Sequence, residues 1–177
     1  LCSGLSLFEA ICYAMSTVST GGFFIVQGGP LAHDTFVVKA ILAVFMLLGA
    51  MNFSLHGKFI SGSLKTYAQD PETRTLLILF LLSLAVGIVA VDSAEGGITY
   101  ISELVLQLIS VITTTGYPSS QASSLLPTNF YILMLLILAI LGGSTGSTSG
   151  GFKAIRVGLL LQQAKQEFFH LTHPIYV

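Results

Sequence analysis

Long and short apolar stretches alternate along the chain, and the short ones each end in a polar turn. Leu5 to Thr17 is apolar but shorter than the roughly 20 residues that cross a bilayer, and it runs directly into Ser16-Thr17-Val18-Ser19-Thr20-Gly21-Gly22-Phe23. This pattern predicts a re-entrant helix that enters the membrane partway and stops. Phe24 to Asp34 reads as a Gly/Pro-containing loop, and Thr35 to His56 as the first full span. Gly49 and Asn52 inside that span should face protein or a cavity. Gly57 to Arg74, with Lys58, Lys65, Asp70, Glu72 and Arg74, reads as a polar loop, and Asp70-Pro71 as a helix start. Thr75 to Val91 is almost purely aliphatic and predicts a second, lipid-facing span closed by Asp92 to Gly97.

The pattern then recurs. Ile101 to Ile112 is short and apolar and leads into a second turn, Thr113 to Tyr117. The stretch Ser110 to Tyr117 matches Ser16 to Phe23 at an offset of 94, and Glu9/Glu103, Gly49/Gly143 and Gly57/Gly151 share that offset. One unit is therefore duplicated, with a partial copy at 1–73 and a full copy at 74–177. After a Ser-rich loop from Pro118 to Pro127, the apolar helix predicted for Asn129 to Leu141 stops early. It meets Gly142-Gly143-Ser144-Thr145-Gly146-Ser147-Thr148-Ser149-Gly150-Gly151. Glycines and hydroxyls at membrane depth must line protein or water, because unsatisfied backbone groups are costly in hydrocarbon. A further helix, Phe152 to His170, carries Lys153, Arg156, Lys165 and Glu167 and should leave the membrane.

Composition agrees with this pattern. Hydrophobic residues make up 53% of the chain and charged ones 8%, against roughly a quarter charged in soluble domains. The chain reads as an all-α integral membrane protein in contact with lipid. The net charge of -1 excludes nothing by itself, but a nucleic-acid binder would need a basic stripe, which the chain lacks. Lys58, Lys65, Arg74, Lys153, Arg156 and Lys165 fall on one side, which the positive-inside rule makes cytoplasmic. Glu9, Asp34, Asp92, Glu95 and Glu103 then lie toward the outer side, where they would concentrate cations. Cys2 and Cys12 read as small apolar residues in a helix. The first unit is partial and opens at Leu1, so the sequence reads as part of a longer chain.

The turns carry the chemistry. A cation leaving water needs replacement oxygens at close quarters, and Ser19-Thr20-Gly21-Gly22 and Thr113-Thr114-Thr115-Gly116 offer carbonyls and hydroxyls. Glycine lets a carbonyl be aimed inward, and threonine stiffens the backbone and adds an oxygen. The C-terminal ends of the short helices point partial negative charge at the same place. The glycine-rich string after Leu141 fails the GxxxxGK[ST] phosphate-loop pattern, because Lys153 does not directly follow a glycine and no Ser or Thr follows it. A hinge across the ion path fits it better. Lys39 is expected to snorkel to the outer interface, and Asn52 and His56 to hydrogen-bond between helices. His33, His170 and His173 have no partners at metal-ligand spacing, and no catalytic constellation rests on the chain, so no enzyme is expected.

With these residues in place, the sequence resembles the Trk/Ktr/HKT superfamily of potassium transporters. STVSTGGF and ITTTGY resemble the second and third filters of the family, and Asn52-Phe53-Ser54-Leu55-His56 the segment after its second inner helix. Gly142 to Arg156 resembles the broken third inner helix, and Leu171-Thr172-His173-Pro174 the segment beyond that helix. Two departures stand out. Ser149-Gly150-Gly151 replaces a run of three glycines, and Tyr117 replaces the commoner Phe. The resemblance implies repeats of outer helix, re-entrant pore helix, filter and inner helix around a pseudo-fourfold pore in a longer chain. It implies potassium held at Thr20, Gly21, Gly22, Thr114, Thr115 and Gly116, with Gly142 to Gly151 as a gate. Gly22 and Gly116 take the potassium-selective position. It further implies no resident cofactor, potassium as the transported substrate, the remaining repeats on the same polypeptide, a homodimer, a cytoplasmic nucleotide-binding regulatory subunit and the bacterial inner membrane. Two other readings stay open: a sodium-coupled carrier with a midplane solute site, and a non-conducting scaffold subunit.

Overall fold

The computed structural model describes residues 5–25, 36–63, 65–90, 97–118 and 129–172. Among them the secondary structure is helical throughout. Helix α1 (Leu7–Val18) starts at a capping box: the Ser6 hydroxyl accepts from the Glu9 amide, and the Glu9 carboxylate accepts from the Ser6 amide. Two end-group donors are thereby satisfied reciprocally. The 12-residue helix is apolar yet too short to span, as its sequence predicts.

The span expected from Thr35 to His56 is not one helix. Helix α2 (Phe36–Ala50) ends after 15 residues, and α3 (Phe53–Ile60) leaves it at 104°. Asn52 forces the corner, because its side-chain oxygen accepts from the Ser54 amide at 2.9 Å and caps the new helix. The expected loop from Gly57 to Arg74 is also more ordered than its polarity implies. It contains the second half of α3 and the single turn α4 (Thr66–Gln69). His56 ties these pieces together, with one ring nitrogen 2.5 Å from the Tyr67 hydroxyl and the other 3.0 Å from the Leu48 carbonyl.

Helix α5 (Pro71–Ala90) begins where Asp70-Pro71 predicts. The Asp70 carboxylate accepts from the Thr73 amide and hydroxyl, both at 2.7 Å, and Pro71 takes the first position, where a missing amide costs nothing. Residues Pro71–Val89 are long and apolar enough to cross a membrane, and Leu77, Ile78, Leu81 and Leu82 remain exposed on the outside.

Helix α6 (Gly97–Ile112) is the centre of the packing. It contacts α2, α5 and α7 (Asn129–Leu141). Leu104, Leu106, Leu108, Ile109 and Ile112 are all at most 4% exposed. One cluster joins Leu106 and Ile109 to Val38, Leu42 and Met46 of α2; the other joins Leu104, Leu108 and Ile112 to Leu76, Tyr131 and Leu138. In a membrane these side chains hold the helices together by close van der Waals packing rather than by leaving water. Helix α8 (Ala154–Thr172) follows the broken loop and rests on α5.

Lys39 does not snorkel to the interface. It is 4% exposed, and its ammonium lies 2.5 Å from the carboxylate of Glu103, which is 1% exposed. Because α2 packs along α6, the ammonium meets a counter-charge within the helix packing. Glu103 is consequently a paired interior acid rather than an attractor of cations at the outer mouth. Asp34, Asp92, Glu95, Cys2, His33 and His173 lie outside the described residues.

Candidate functional site

Each short helix ends in the same backbone figure. In the first turn the Ser19 amide donates to Met15 O (3.0 Å), Thr20 to Thr17 O (3.1 Å) and Gly21 to Ser16 O (2.8 Å). In the second, Thr113 donates to Ile109 O (2.9 Å), Thr114 to Val111 O (3.0 Å) and Thr115 to Ser110 O (2.9 Å). These bonds match one for one at the repeat offset. The torsions match as well: Thr20 and Thr114 have φ of 49° and 56°, and Gly22 and Gly116 have φ of 69° and 78°. A β-branched residue in the left-handed region is an outlier that costs about 1–3 kcal/mol and persists only where its surroundings impose it. Two threonines at equivalent positions share that strain.

The turns meet through their backbones. A β-carbon built on Gly22 would lie 1.9 Å from the Thr115 carbonyl oxygen, so only glycine fits there. Gly116 differs, since its left-handed torsion calls for glycine while a β-carbon would meet nothing within 4 Å among the described residues. Crowding among the described residues therefore belongs to Gly22 rather than Gly116. Gly21 has no positive φ, which separates it from the equivalent pair Gly22 and Gly116.

Several hydroxyls in the turns are already engaged. Thr113 Oγ1 donates to Ile109 O at 2.7 Å and lies 2.8 Å from Thr115 Oγ1, with both residues at most 3% exposed. Ser19 Oγ donates to Ser16 O at 3.2 Å and Thr20 Oγ1 to Ser19 O at 2.8 Å. These hydroxyls are engaged within the turns themselves.

The segment Gly142 to Gly151 is non-helical, as its composition predicts, and it is bonded to both turns. The Thr148 hydroxyl lies 2.9 Å from Val18 O, 3.0 Å from Gly49 O and 3.3 Å from Thr20 Oγ1. The Gly150 amide donates to Thr114 Oγ1 at 2.6 Å. Further back, the Ser144 amide and hydroxyl both donate to Ala50 O at 3.0 Å, and the Thr148 amide to Gly49 O at 3.2 Å. Those two carbonyls are at the open C-terminal end of α2, so the loop completes the helix that Asn52 cuts short.

Two charged residues complete the anchoring. The Glu72 carboxylate, 6% exposed, accepts from the Thr145 amide at 2.9 Å and from its hydroxyl at 2.7 Å. Lys153 donates to Ser149 O. The Gly146 carbonyl accepts from the Phe53 amide at 3.1 Å, and its Cα packs so closely on the Asn52 side chain that a β-carbon would lie 3.0 Å from Oδ1.

All eight residues singled out in the turns and all ten in the loop thus fall within one connected region. Sequence reasoning passed over Glu72 as a loop anchor, Thr17 as a partner of Tyr117, and Ala50 as the seat of Ser144. The repeat offset holds a signal for the last, since Ala50 and Ser144 are themselves 94 residues apart.

Comparison with known proteins converges on one group. A family model described as TrkH, cation transport protein, matches residues 3–177. The Trk system potassium uptake protein TrkH of Salmonella typhimurium is 32% identical over 176 residues, covering 97% of this chain and 36% of that protein. TrkG of Escherichia coli, also named a Trk system potassium uptake protein, is 34% identical over 179 residues with the same coverage. The crystal structure of the potassium transporter TrkH from Vibrio parahaemolyticus matches with a TM-score of 0.84 at 32% identity, over 98% of this chain and 38% of that one. The chain thus spans little more than a third of the length of these relatives. It belongs to the TrkH family of cation transport proteins.

Proposed function

We propose that the chain forms two of four quadrants of a potassium-selective pore in a bacterial inner membrane. The observation that carries this reading is the identity of the two turns: three matched hydrogen bonds, two matched pairs of left-handed residues and direct contact at Gly22 and Thr115. Potassium is held by carbonyls from Thr20, Gly21, Gly22, Thr114, Thr115 and Gly116, with Ser19 and Thr113 shaping the turns behind them. Carbonyls in place of hydration water are the general means of passing a cation through a membrane. Residues 1–73 and 74–177 act as a partial and a full repeat, and the remaining repeats of the longer polypeptide close the pseudo-fourfold ring.

Gly142 to Gly151 is the gate. Its bonds to Thr20 and Thr114 put it against both turns, and small displacements of a glycine-rich segment suffice to open or block a narrow path. The relatives are potassium uptake proteins by name, which supports potassium as the substrate here. A homodimer and a cytoplasmic nucleotide-binding regulatory subunit complete the assembly we propose.

Rubidium uptake into liposomes containing the full-length transporter tests the reading. Uptake that potassium competes away supports the pore. Movement of an organic solute without rubidium points to the carrier instead, and no flux of either kind to a scaffold.

A further inference from the structure

We infer that the Tyr117 hydroxyl is a brace between the two turns, and that Tyr117 acts as a positioning residue for cation selectivity. The inference rests on the filter reading above and deepens it. Tyr117 is 1% exposed, and its hydroxyl lies 2.9 Å from Oγ1 of Thr17, itself 1% exposed. The two residues are 100 positions apart and belong to different units.

The direction of this bond follows from proton counting. Thr17 Oγ1 is 2.6 Å from the Tyr13 carbonyl, which can only accept. A threonine hydroxyl has one proton, so Thr17 spends it on Tyr13 and accepts from Tyr117. The phenol is therefore the donor, and a Phe at this position would remove the bond while leaving Thr17 tied to its own helix.

The backbone of Tyr117 is held too. Ser110 Oγ donates to the Tyr117 carbonyl at 3.1 Å. One residue is thus fixed at its carbonyl by α6 and at its hydroxyl by α1, and it directly follows Thr115 and Gly116, whose carbonyls we assign to the ion. The brace crosses the seam at which Thr115 O meets Gly22. The equivalent residue of the first unit, Phe23, has no hydroxyl to offer, and Ser16 Oγ, the counterpart of Ser110 Oγ, is buried without a hydrogen-bond partner among the described residues.

Holding two carbonyl-bearing strands at fixed separation limits how far their oxygens can close on a cation smaller than potassium. The test is the rubidium-to-sodium permeability ratio of the full-length transporter in liposomes, with thermal melting as a check on folding. Tyr117→Phe should lower the ratio about fivefold, the effect of one neutral hydrogen bond, with melting little changed. Thr17→Val should lower it similarly, and the double variant no further than either single one, because the two changes remove one interaction. Thr17→Ser, which keeps the acceptor, should restore the ratio. If Tyr117→Phe folds poorly, the Thr17→Val and Thr17→Ser pair decides alone. A normal ratio in Tyr117→Phe and Thr17→Val, alongside an altered ratio in Gly116→Ser, would overturn the brace and spare the filter. No change in any of the three would remove the filter reading itself.

Discussion

The two turns share a backbone and differ in almost everything around it. The second sits on α6, which α2, α5 and α7 enclose, and its last residue, Tyr117, is 1% exposed. The first sits on α1, which packs on α2 within the third of its relatives' length that this chain spans. Between α1 and α2 lies an apolar hollow of about 230 Å³, lined in part by Ala10, Ala14 and Val18. Their counterparts in the second unit, Leu104, Leu108 and Ile112, are filled in against Leu76 and Tyr131.

Despite this, the hydrogen bonds and torsions of the turns agree. The carbonyl arrangement is thus specified locally, by the end of a short helix and a glycine two residues after a strained threonine. Enclosure adds something separate, the bonds that hold the finished turn in place. Among the described residues, Ser110 and Tyr117 have side-chain partners that Ser16 and Phe23 lack.

The largest effect should come from breaking the contact between the turns. In Gly22→Ala the new methyl meets the Thr115 carbonyl and the backbone is left-handed, so both turns must shift. Rubidium flux should fall at least about tenfold, since an alanine at positive φ adds strain to the steric conflict. Flux close to that of the unaltered protein would mean that the turns do not meet there.

Next comes the charge pair that ties the units together. Lys39→Met leaves Glu103 buried without its ammonium, and removing one member of such a pair typically costs about 3–5 kcal/mol. A clear drop in melting temperature is expected. Because Glu103 is on the helix of the second turn, and its counterpart Glu9 caps α1 through Ser6, the damage should concentrate on the second unit. Hydrogen exchange slowed or unchanged at α6 would contradict that placement.

The smallest of these effects concerns the loop, which only the second unit has. Glu72→Gln keeps the shape but weakens two charge-assisted bonds to Thr145 by about 1 kcal/mol or somewhat more. Resting flux should rise severalfold as the loop loosens. A fall in flux at normal folding would show that Glu72 holds the loop open.

What the sequence made legible was local. Short apolar helices running into hydroxyl-rich turns, the start at Asp70-Pro71, the early stop after Leu141 and the duplication itself all depend on near neighbours. The corner at Met51-Asn52 was hidden because the local cap at Asn52 interrupts an apolar run, and the carbonyls it frees find their partners far along the chain. Asn52 inside an apolar run reads as a tolerated polar residue until Ser144 and Thr148 are seen to take the carbonyls of Ala50 and Gly49. Lys39 was misplaced for a related reason: its counter-charge is 64 residues away, and nothing in the spacing links them. Tyr117 reads as a departure from the commoner Phe with no evident partner until Thr17 is found opposite its hydroxyl.

The central claim is that Gly116 stands where the ion passes, with its left-handed backbone required. The most direct measurement is the potassium-to-sodium permeability ratio of Gly116→Ser in the full-length transporter. A serine there strains the turn, so the ratio should fall about tenfold or more while the protein remains folded. An unchanged ratio in a folded, conducting variant would contradict the assignment of the twin turns as the filter.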